Sequence, residues 1–460
     1  MTTERATNNR WSSNFSFVLA ATAAAVGLGN IWKFPYIMGE NGGGAFVLLY
    51  LLFIFLIGVP VLMSEVLIGR RGRTSPGYAA AKLARESGVS PAWQITGWMG
   101  LSAGYIILTF YAVIAGWALS YVFKSASGTF VGATTESVSA TFGGMVSSAP
   151  ELLFFTTLLI TATVFVVGKG FKKGLERAVT YLMPVLLGLL VIIALYAAHI
   201  GDFGAAFRFM FYPDFSALTG QGALIALGHA FFTLSLASGV MIIYGAYLPK
   251  GTSIVRTSIW IAIADTLVAL IAGLAIFPIV FGFGLTPGEG PGLIFQTLPL
   301  AFANMPFTTL IATVFFVMLV LAAFTSAIAM IEASVAFAEE RLRVKRWQAA
   351  ISSGVLLWIL SLGTVFSLSG AGWAQLEWNF FGKELDSIFA AIDHLASNIL
   401  LPLGGFMAAV FTGWVMKRRF TEEELNMSKR GYQIWLFCVR FLAPIAIIAI
   451  FLQLLGILRF

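Results

Sequence analysis

Long apolar runs, separated by short polar segments, recur along nearly the whole chain. A run of about 20 apolar residues is what an α-helix needs to cross a lipid bilayer. The pattern predicts an all-α integral membrane protein with about eleven transmembrane helices. The predicted spans, numbered 1 to 11 in chain order, are 15–38, 45–69, 92–123, 151–168, 177–199, 221–248, 253–284, 303–337, 347–369, 385–416 and 433–457.

Span 1 contains a stretch, residues 23–35, that a membrane helix would not be expected to tolerate. Two glycines weaken the helix, Asn30 and Lys33 bring an amide and a charge toward bilayer depth, and Pro35 removes a backbone donor. A glycine packing face between helices would explain the glycines but not the two polar side chains together. In lipid, a broken helix is stable only where its freed backbone groups line a cavity or meet a ligand. The stretch therefore predicts an interrupted helix at a binding site.

Span 6 repeats this feature, because small and hydroxyl residues crowd its middle between His229 and Gly239. Each interrupted helix is the first in a block of five spans, which predicts two inverted repeats with span 11 as an addition. The predicted organisation is an N-terminal cytoplasmic segment 1–14, a first repeat 15–199, a second repeat 200–416, and a cytoplasmic loop with span 11 at 417–460.

Several other residues are of kinds that membrane helices normally avoid. Glu65 in span 2 needs partners, and the freed N–H groups of an unwound helix would serve. Asp265 lies deep in span 7. Glu332 in span 8 is either a packing partner for a span 5 group or part of an ion exit route. Gly174 and Pro184, near the start of span 5, indicate either an ordinary kink or a segment that unwinds to admit water.

The composition excludes a soluble domain, and the charge pattern adds an orientation. The chain is 59% hydrophobic and 11% charged, with a mean hydropathy of +0.89. Its net charge of +7 does not indicate nucleic-acid binding, because the basic residues collect in alternate loops. By the positive-inside rule, the N-terminus is cytoplasmic and Phe460 is outside. The expected surroundings are the lipid bilayer, with no nucleic acid and no obligate protein partner inferred.

The sequence carries no signal of an enzyme. It contains no His-Glu-x-x-His and no Gly-x-Ser-x-Gly motif, and its three histidines are too scattered to form a metal cluster. The single cysteine, Cys438, excludes an internal disulfide. No cleavable signal peptide is expected, because span 1 is too long and lacks a small-residue cleavage site.

Five short motifs, taken together, resemble the neurotransmitter:sodium symporters, and among them the bacterial amino-acid transporters of the LeuT and MhsT type. The motifs are Val-Gly-Leu-Gly-Asn at 26–30 with Phe34-Pro35, Asn-Gly-Gly-Gly-Ala-Phe at 41–46, Phe-Phe-Thr-Leu-Ser-Leu at 231–236, Gly-Pro-Gly-Leu at 290–293, and Thr325-Ser326. The resemblance runs from Trp11 to span 11. It implies a LeuT-like fold, with a 5+5 inverted repeat and unwound first and sixth helices, in a bacterial inner membrane.

The resemblance also implies two sodium sites. The ligands of the first would be Ala25, Asn30, Thr233 and Asp265, together with the substrate carboxylate. The ligands of the second would be the carbonyls of Ala23, Val26 and Ala322 and the hydroxyls of Thr325 and Ser326. The chemistry agrees, because hard cations such as Na⁺ prefer carbonyl, amide, hydroxyl and carboxylate oxygens.

By the same resemblance, the substrate would lie between the two helix breaks. Its carboxylate would meet N–H groups near Leu28 and Gly29, the Tyr111 hydroxyl and the first sodium. Its amine would meet backbone carbonyls of span 6 near Ser235, and Tyr111 and Phe232 would close over it. The matching substrate residues are Ala25, Leu28, Gly29, Ile107, Tyr111, Phe232, Thr233, Ser235, Ser238, Ser326 and Met330.

The resemblance assigns gates on both sides of this site. Lys33 and Asp393 match an outer charged gate, although relatives usually have arginine at the first position, and a lysine lacks its bidentate fork. Glu340 matches the acid of the inner gate, and Tyr247 is assigned to a gate as well. Arg10 is the candidate partner of Glu340, although the usual inner-gate arginine falls nearer residue 8.

Asp265 departs from the chloride-dependent members, which have asparagine there. In those members chloride supplies a negative charge near positions matching Tyr50, Thr233 and Ala269. A carboxylate at Asp265 can supply that charge instead, which predicts chloride independence. Burial also disfavours its ionised form once sodium leaves, so proton return through Asp265 is a further hypothesis, and Glu65 is a bracing or proton site.

The sequence thus predicts sodium-coupled symport of a neutral amino acid, hydrophobic or small, by alternating access. The alternative is a proton-coupled amino-acid permease of the same fold.

Overall fold

The computed structural model describes residues 10–286, 290, 292–380, 383–455 and 457. Within these residues, nine helices are long and apolar enough to cross a membrane, and a bent pair of helices at span 1 makes ten. Predicted span 6 consists of two shorter helices. The all-α membrane fold is confirmed, with nine or ten membrane-length spans in the described part of the chain where about eleven were predicted. The unbroken spans are Gly44–Gly72, Pro91–Ala126, Ala149–Gly168, Phe171–Ile200, Ile254–Gly282, Thr308–Leu342, Arg346–Leu368, Ile388–Val415 and Lys429–Leu454. Residues 1–9 of the predicted N-terminal segment lie outside the described residues.

Span 1 consists of two helices, Asn14–Ala25 and Gly29–Glu40, that meet at a bend of 53°. The first helix begins at Ser13, whose hydroxyl accepts a hydrogen bond from the Ser16 N–H, and it ends at Val26, where the backbone becomes extended. The break falls where the glycines, Asn30 and Pro35 predicted it. It leaves backbone groups without helical partners inside the bundle.

Span 6 consists of Gly220–Thr233 and Val240–Ala246, with residues 234–239 non-helical between them. Ser235 and Ala237 have φ angles of 51° and 57°. Left-handed backbone at residues with a Cβ costs about 1 kcal/mol or more each, so the surrounding helices must hold this conformation in place.

Spans 2 and 6 cross with their backbones in direct contact. A Cβ added at Gly69 would lie 1.8 Å from the Ile242 carbonyl oxygen, and one at Gly245 would lie 2.5 Å from that of Val66. Small residues permit such close crossings between membrane helices. The crossing fixes the second half of span 6 against span 2.

Five shorter helices connect the spans. They are Pro76–Ser87, Thr135–Ser147, Phe203–Phe211, Leu293–Ala303 and Arg418–Leu425. The predicted start of span 8 at residue 303 is wrong, because Leu293–Ala303 is a separate helix and span 8 begins at Thr308. The apolar run continues through the turn between them, so hydrophobicity alone could not locate this boundary.

The chain also contains a β-hairpin that the all-α prediction missed. Gln375–Phe380 pairs antiparallel with Lys383–Ser387 between spans 9 and 10. Span 10 therefore begins at Ile388 rather than at residue 385. The two strands contain no β-branched residue, and only Trp378 and Phe380 are of a kind that favours strands, so the strand signal in the sequence is weak.

Span 5 is helical throughout in this structure. It begins with a π-helical turn, Phe171–Glu176, and Pro184 lies within the continuous helix Arg177–Ile200. Of the two interpretations left open by the sequence, the structure shows a helix that accommodates its proline and not an unwound segment.

The crossing of spans 2 and 6 predicts that Gly69→Ala destabilises the protein. Backbone overlap of this kind costs roughly 1–3 kcal/mol, whereas Gly→Ala at an open helical position gains about 0.5–1 kcal/mol. Thermal unfolding in detergent, followed by tryptophan fluorescence, measures the difference. The control is Gly188→Ala in span 5, where an added Cβ meets no atom within 4 Å. Equal melting temperatures for the two variants would contradict the tight crossing.

Candidate functional site

The break in span 1 is reached by side chains from spans 3 and 8. The Leu28 N–H donates a hydrogen bond to the Tyr111 hydroxyl at 3.3 Å. A Cβ at Gly27 would lie 2.6 Å from Ser326 Oγ and 2.7 Å from Tyr111 Oη. Glycine at this position therefore lets both hydroxyl groups approach the break.

The break in span 6 is held by spans 1 and 2. The Ala237 N–H donates to Glu65 Oε1 at 2.6 Å, so Glu65 meets a freed backbone donor of the kind that the sequence indicated. The Ser235 hydroxyl donates to the Ala24 carbonyl at 2.9 Å and joins the two breaks directly.

A small cavity of about 40 Å³ lies between the two breaks. Its lining is formed by Ala24, Ala25, Gly27, Leu28, Gly29, Ile107, Tyr111, Phe232, Ser235, Leu236, Ser238, Ser326, Met330 and Leu401. All of the expected substrate residues except Thr233 are in this lining. Leu401 of span 10 was missed, because an apolar residue in an apolar span carries no signal.

Three of the side chains expected at the first sodium site lie together, and all are buried. Asn30 Nδ2 donates to Thr233 Oγ1 at 3.1 Å and to Asp265 Oδ1 at 2.8 Å, and Thr233 Oγ1 donates to Asp265 Oδ2 at 2.8 Å. Asp265 is 0% exposed and forms no ion pair with the described residues. A buried carboxylate is costly without a positive charge beside it, so these oxygens fit a small hard cation.

The residues expected at the second sodium site also lie together, where span 8 meets the end of the first half of span 1. Ser326 Oγ donates to the carbonyls of Val26 at 3.2 Å and Ala23 at 3.4 Å. Thr325 Oγ1 donates to Ala322 at 3.0 Å, which is an ordinary bond within a helix. The Ser326 bonds are different, because they connect two distant spans at a break.

The structure does not bring the predicted outer gate together as an ion pair. Lys33 and Asp393, both among the described residues, form no ion pair with each other. The Lys33 ammonium lies 4.3 Å from the centroid of the Phe232 ring, and Asp393 accepts a hydrogen bond from Ser397 at 2.8 Å. Lys33 thus contacts the aromatic residue that covers the cavity.

The predicted Arg10–Glu340 pair is not formed either. Glu340 accepts hydrogen bonds from the Ser75 N–H at 3.0 Å and the Ser75 hydroxyl at 2.6 Å, whereas Arg10 is exposed. Trp11, the residue after Arg10, makes the contact at the inner end instead. The Trp11 backbone N–H donates to the Tyr247 carbonyl at 3.3 Å, and its indole N–H donates to Tyr244 at 3.1 Å.

Glu332 belongs to a buried network at this inner end. The Tyr247 hydroxyl donates to Glu332 at 2.9 Å, and Arg346 pairs with both Glu332 and Glu339. The partners of Glu332 therefore come from spans 6 and 9 and not from span 5. Arg346 was interpreted only as a topology signal, because nothing in the sequence pairs it with an acid 14 residues earlier.

Comparisons with known proteins identify the family of this chain. The model of the sodium:neurotransmitter symporter family matches residues 8–141 and 133–458. A sodium-dependent transporter of Bacillus subtilis, YhdH, is 39% identical over 455 residues, which cover 98% of each chain. A sodium-dependent transporter of Haemophilus influenzae is 35% identical over 98% of this chain and 99% of its own.

A solved structure has the same fold as this chain. The crystal structure of MhsT in complex with L-phenylalanine superposes with a TM-score of 0.87 at 39% identity. The match covers 97% of this chain and 99% of that one. The broken first and sixth spans, the buried acid of span 7 and these full-length matches lead to one conclusion. This chain belongs to the sodium:neurotransmitter symporter family and is a sodium-dependent membrane transporter.

Proposed function

We propose that this protein couples the entry of Na⁺ to the uptake of a neutral, hydrophobic amino acid by alternating access. The observation that carries the proposal is the fully buried Asp265 carboxylate, which accepts hydrogen bonds from Asn30 and Thr233 and forms no ion pair with a described residue. A sodium ion there would neutralise the Asp265 carboxylate. Its positive charge would also attract the carboxylate of a bound substrate. Coupling follows, because each ligand makes the other more favourable.

The cavity lining favours a neutral substrate with an apolar side chain. None of the described residues that line it is charged, and Ile107, Phe232, Met330 and Leu401 are apolar. The Leu28 and Gly29 backbone at the break would bind the carboxylate. MhsT was crystallised with L-phenylalanine, and the 39% identity supports a related substrate class here.

Two sodium ions and no chloride fit this chemistry. The proposed second site would use the carbonyl oxygens of Ala23, Val26 and Ala322 and the hydroxyls of Thr325 and Ser326, which are oxygen ligands of the kind that suits Na⁺; the contacts of Ser326 with Ala23 and Val26 support it. Asp265 supplies a fixed negative charge at the first position, so chloride is not needed there. The proton-coupled alternative has no support from the relatives, which are described as sodium-dependent.

Alternating access would then depend on the inner end. Trp11, Tyr247 and Glu332 close the path from the cavity to the membrane face on which the N-terminus lies. By the positive-inside rule this face is cytoplasmic, in a bacterial inner membrane. Release inward would require these contacts to open after the ions and substrate have bound.

A binding panel tests the proposed function. Purified protein is mixed with each of the twenty amino acids in NaCl or KCl, and thermal stability is measured, because a ligand of the native state raises it. Stabilisation by large apolar amino acids in NaCl alone is expected. Stabilisation that is equal in KCl, or that occurs only with charged amino acids, would contradict the proposal.

Asp265→Asn is expected to weaken sodium binding and to make it respond to chloride. Loss of the carboxylate removes the charge that balances Na⁺, so the sodium concentration for half-maximal substrate binding should rise at least tenfold. Binding of a radiolabelled hit is measured in NaCl and in sodium gluconate. The wild type should bind equally in both salts.

The matched control is Asp214→Asn, an exposed carboxylate on an outer loop, which should leave the sodium dependence unchanged. Wild-type binding that collapses in gluconate would refute chloride independence while leaving sodium coupling intact.

Tyr247→Phe is expected to loosen the inner closure. It removes one hydrogen bond to a carboxylate, a contact type worth about 1.5–3 kcal/mol, so the open population should rise about tenfold or more. Hydrogen–deuterium exchange of the first half of span 1 reports the opening. Tyr105→Phe is the control, because it removes the hydroxyl that donates to the Ser353 carbonyl at 2.5 Å between spans 3 and 9. Equal exchange in both variants would exclude a closing role for Tyr247.

A further inference from the structure

We propose that a cluster of basic residues at the inner ends of spans 4, 5, 8 and 9 binds the headgroup of an anionic phospholipid. This cluster, called the basic patch below, is formed by Lys169, Lys172, Lys173, Arg177, Arg341, Arg343 and Lys345. All seven residues are exposed. None of the seven residues lines the substrate cavity, and the patch adjoins the inner closure through Arg346.

Packing between the span ends joins the two loops into one surface. Arg346 Nε donates to the Val167 carbonyl at 3.0 Å, which ties the start of span 9 to the end of span 4. A Cβ at Gly168 would lie 2.2 Å from the Trp347 ring, and one at Gly174 would lie 2.0 Å from the Val166 carbonyl. The loop between spans 4 and 5 therefore lies directly beside the loop between spans 8 and 9.

None of the seven cations forms an ion pair with a described residue. The nearby acids are engaged elsewhere. Glu176 accepts from the Ser12 N–H at 2.8 Å and from its hydroxyl at 3.1 Å, Glu339 pairs with Arg346, and Glu340 binds Ser75. The patch thus concentrates positive charge that the described protein residues do not neutralise.

Other cations on the same membrane face are either paired or fewer in one place. Arg70 pairs with Glu424 at 2.6 Å, and Arg71 pairs with Glu423 at 3.2 Å. Arg85, Lys250 and Arg256 also form no ion pair with a described residue, but they are divided between two separate segments. The basic patch differs because seven such cations lie in two adjoining loops, and this concentration of positive charge would attract an anionic headgroup.

Exposed aromatic side chains place the patch at the membrane boundary. Phe165 and Trp347 are 51% and 45% exposed, with ring centroids 6.4 Å apart, and the Lys169 ammonium lies 3.9 Å from the Phe165 ring. Aromatic residues favour the bilayer interface, where the adjacent cations would meet lipid phosphates. An anionic headgroup is therefore a closer chemical match than a nucleic acid or an acidic protein, neither of which explains the exposed rings.

The test measures retention of phosphatidylglycerol and phosphatidylcholine by the full-length protein, using native mass spectrometry after purification in detergent. The wild type is expected to bind phosphatidylglycerol at least tenfold more tightly than phosphatidylcholine. K172Q/K173Q/K345Q should lose at least tenfold in phosphatidylglycerol affinity, because each surface cation contributes about fivefold. The three lysines are exposed, so thermal unfolding should match the wild type, and the charge-conserving K172R/K173R/K345R should retain binding.

The matched control is R85Q/K250Q/R256Q, which removes three exposed cations from other loops on the same face and changes the net charge equally. Its affinity for phosphatidylglycerol should fall by less than twofold. Equal losses in the two glutamine variants would overturn the proposal in favour of a net-charge effect. Full displacement of the lipid by an equal concentration of glycerol phosphate would overturn it in favour of a free-anion site. Substrate binding in NaCl is measured in parallel, and its presence or absence decides the proposed transport function separately.

Discussion

The rest of the structure depends on one constraint: two helices are broken in the middle of the bundle, and the backbone groups at their breaks need hydrogen-bond partners. Hydrocarbon offers no hydrogen bonds, so every freed donor and acceptor needs a partner from another span. Tyr111 of span 3 accepts from Leu28, Ser326 of span 8 donates to Val26, and Glu65 of span 2 accepts from Ala237. The positions of three neighbouring helices are therefore explained by one requirement.

The same requirement explains why the centre of this bundle can bind ions. A continuous helix presents no free carbonyl oxygens, whereas the break in span 1 presents those of Ala23 and Val26 beside a hydroxyl. Asp265 adds a charge that the described side chains leave unbalanced. The helix breaks provide oxygen ligands, and the buried acid requires a cation to balance its charge. The proposed binding of sodium therefore follows from features that would otherwise only destabilise the fold.

The sequence predicted the breaks and the site better than the gates, and the reason is physical. Glycine, asparagine and proline in an apolar run are a local signal, so Asn30 and the break in span 1 could be found without any knowledge of their partners. Glu332 is conspicuous as an acid inside span 8, but nothing in the sequence identifies Arg346 as its partner, because their pairing is decided by how spans 8 and 9 pack. The hairpin that begins at Gln375 was missed because its strands are short and contain no β-branched residue, so the two aromatic residues Trp378 and Phe380 gave only a weak strand signal.

Span 8 provides a mechanical connection between the second proposed sodium site and the inner closure. It is one continuous helix from Thr308 to Leu342, and Ser326 and Glu332 are separated along it by about 9 Å at 1.5 Å per residue. Ser326 contacts the end of the Asn14–Ala25 helix, and Trp11, just before the start of that helix, contacts span 6. In the proposed mechanism, an ion bridging spans 1 and 8 would hold the inner half of span 1 against the closure. Loss of that ion would remove one attachment of this half-helix and leave the remaining ones, among them the contacts of Trp11 and Ser12, to resist opening.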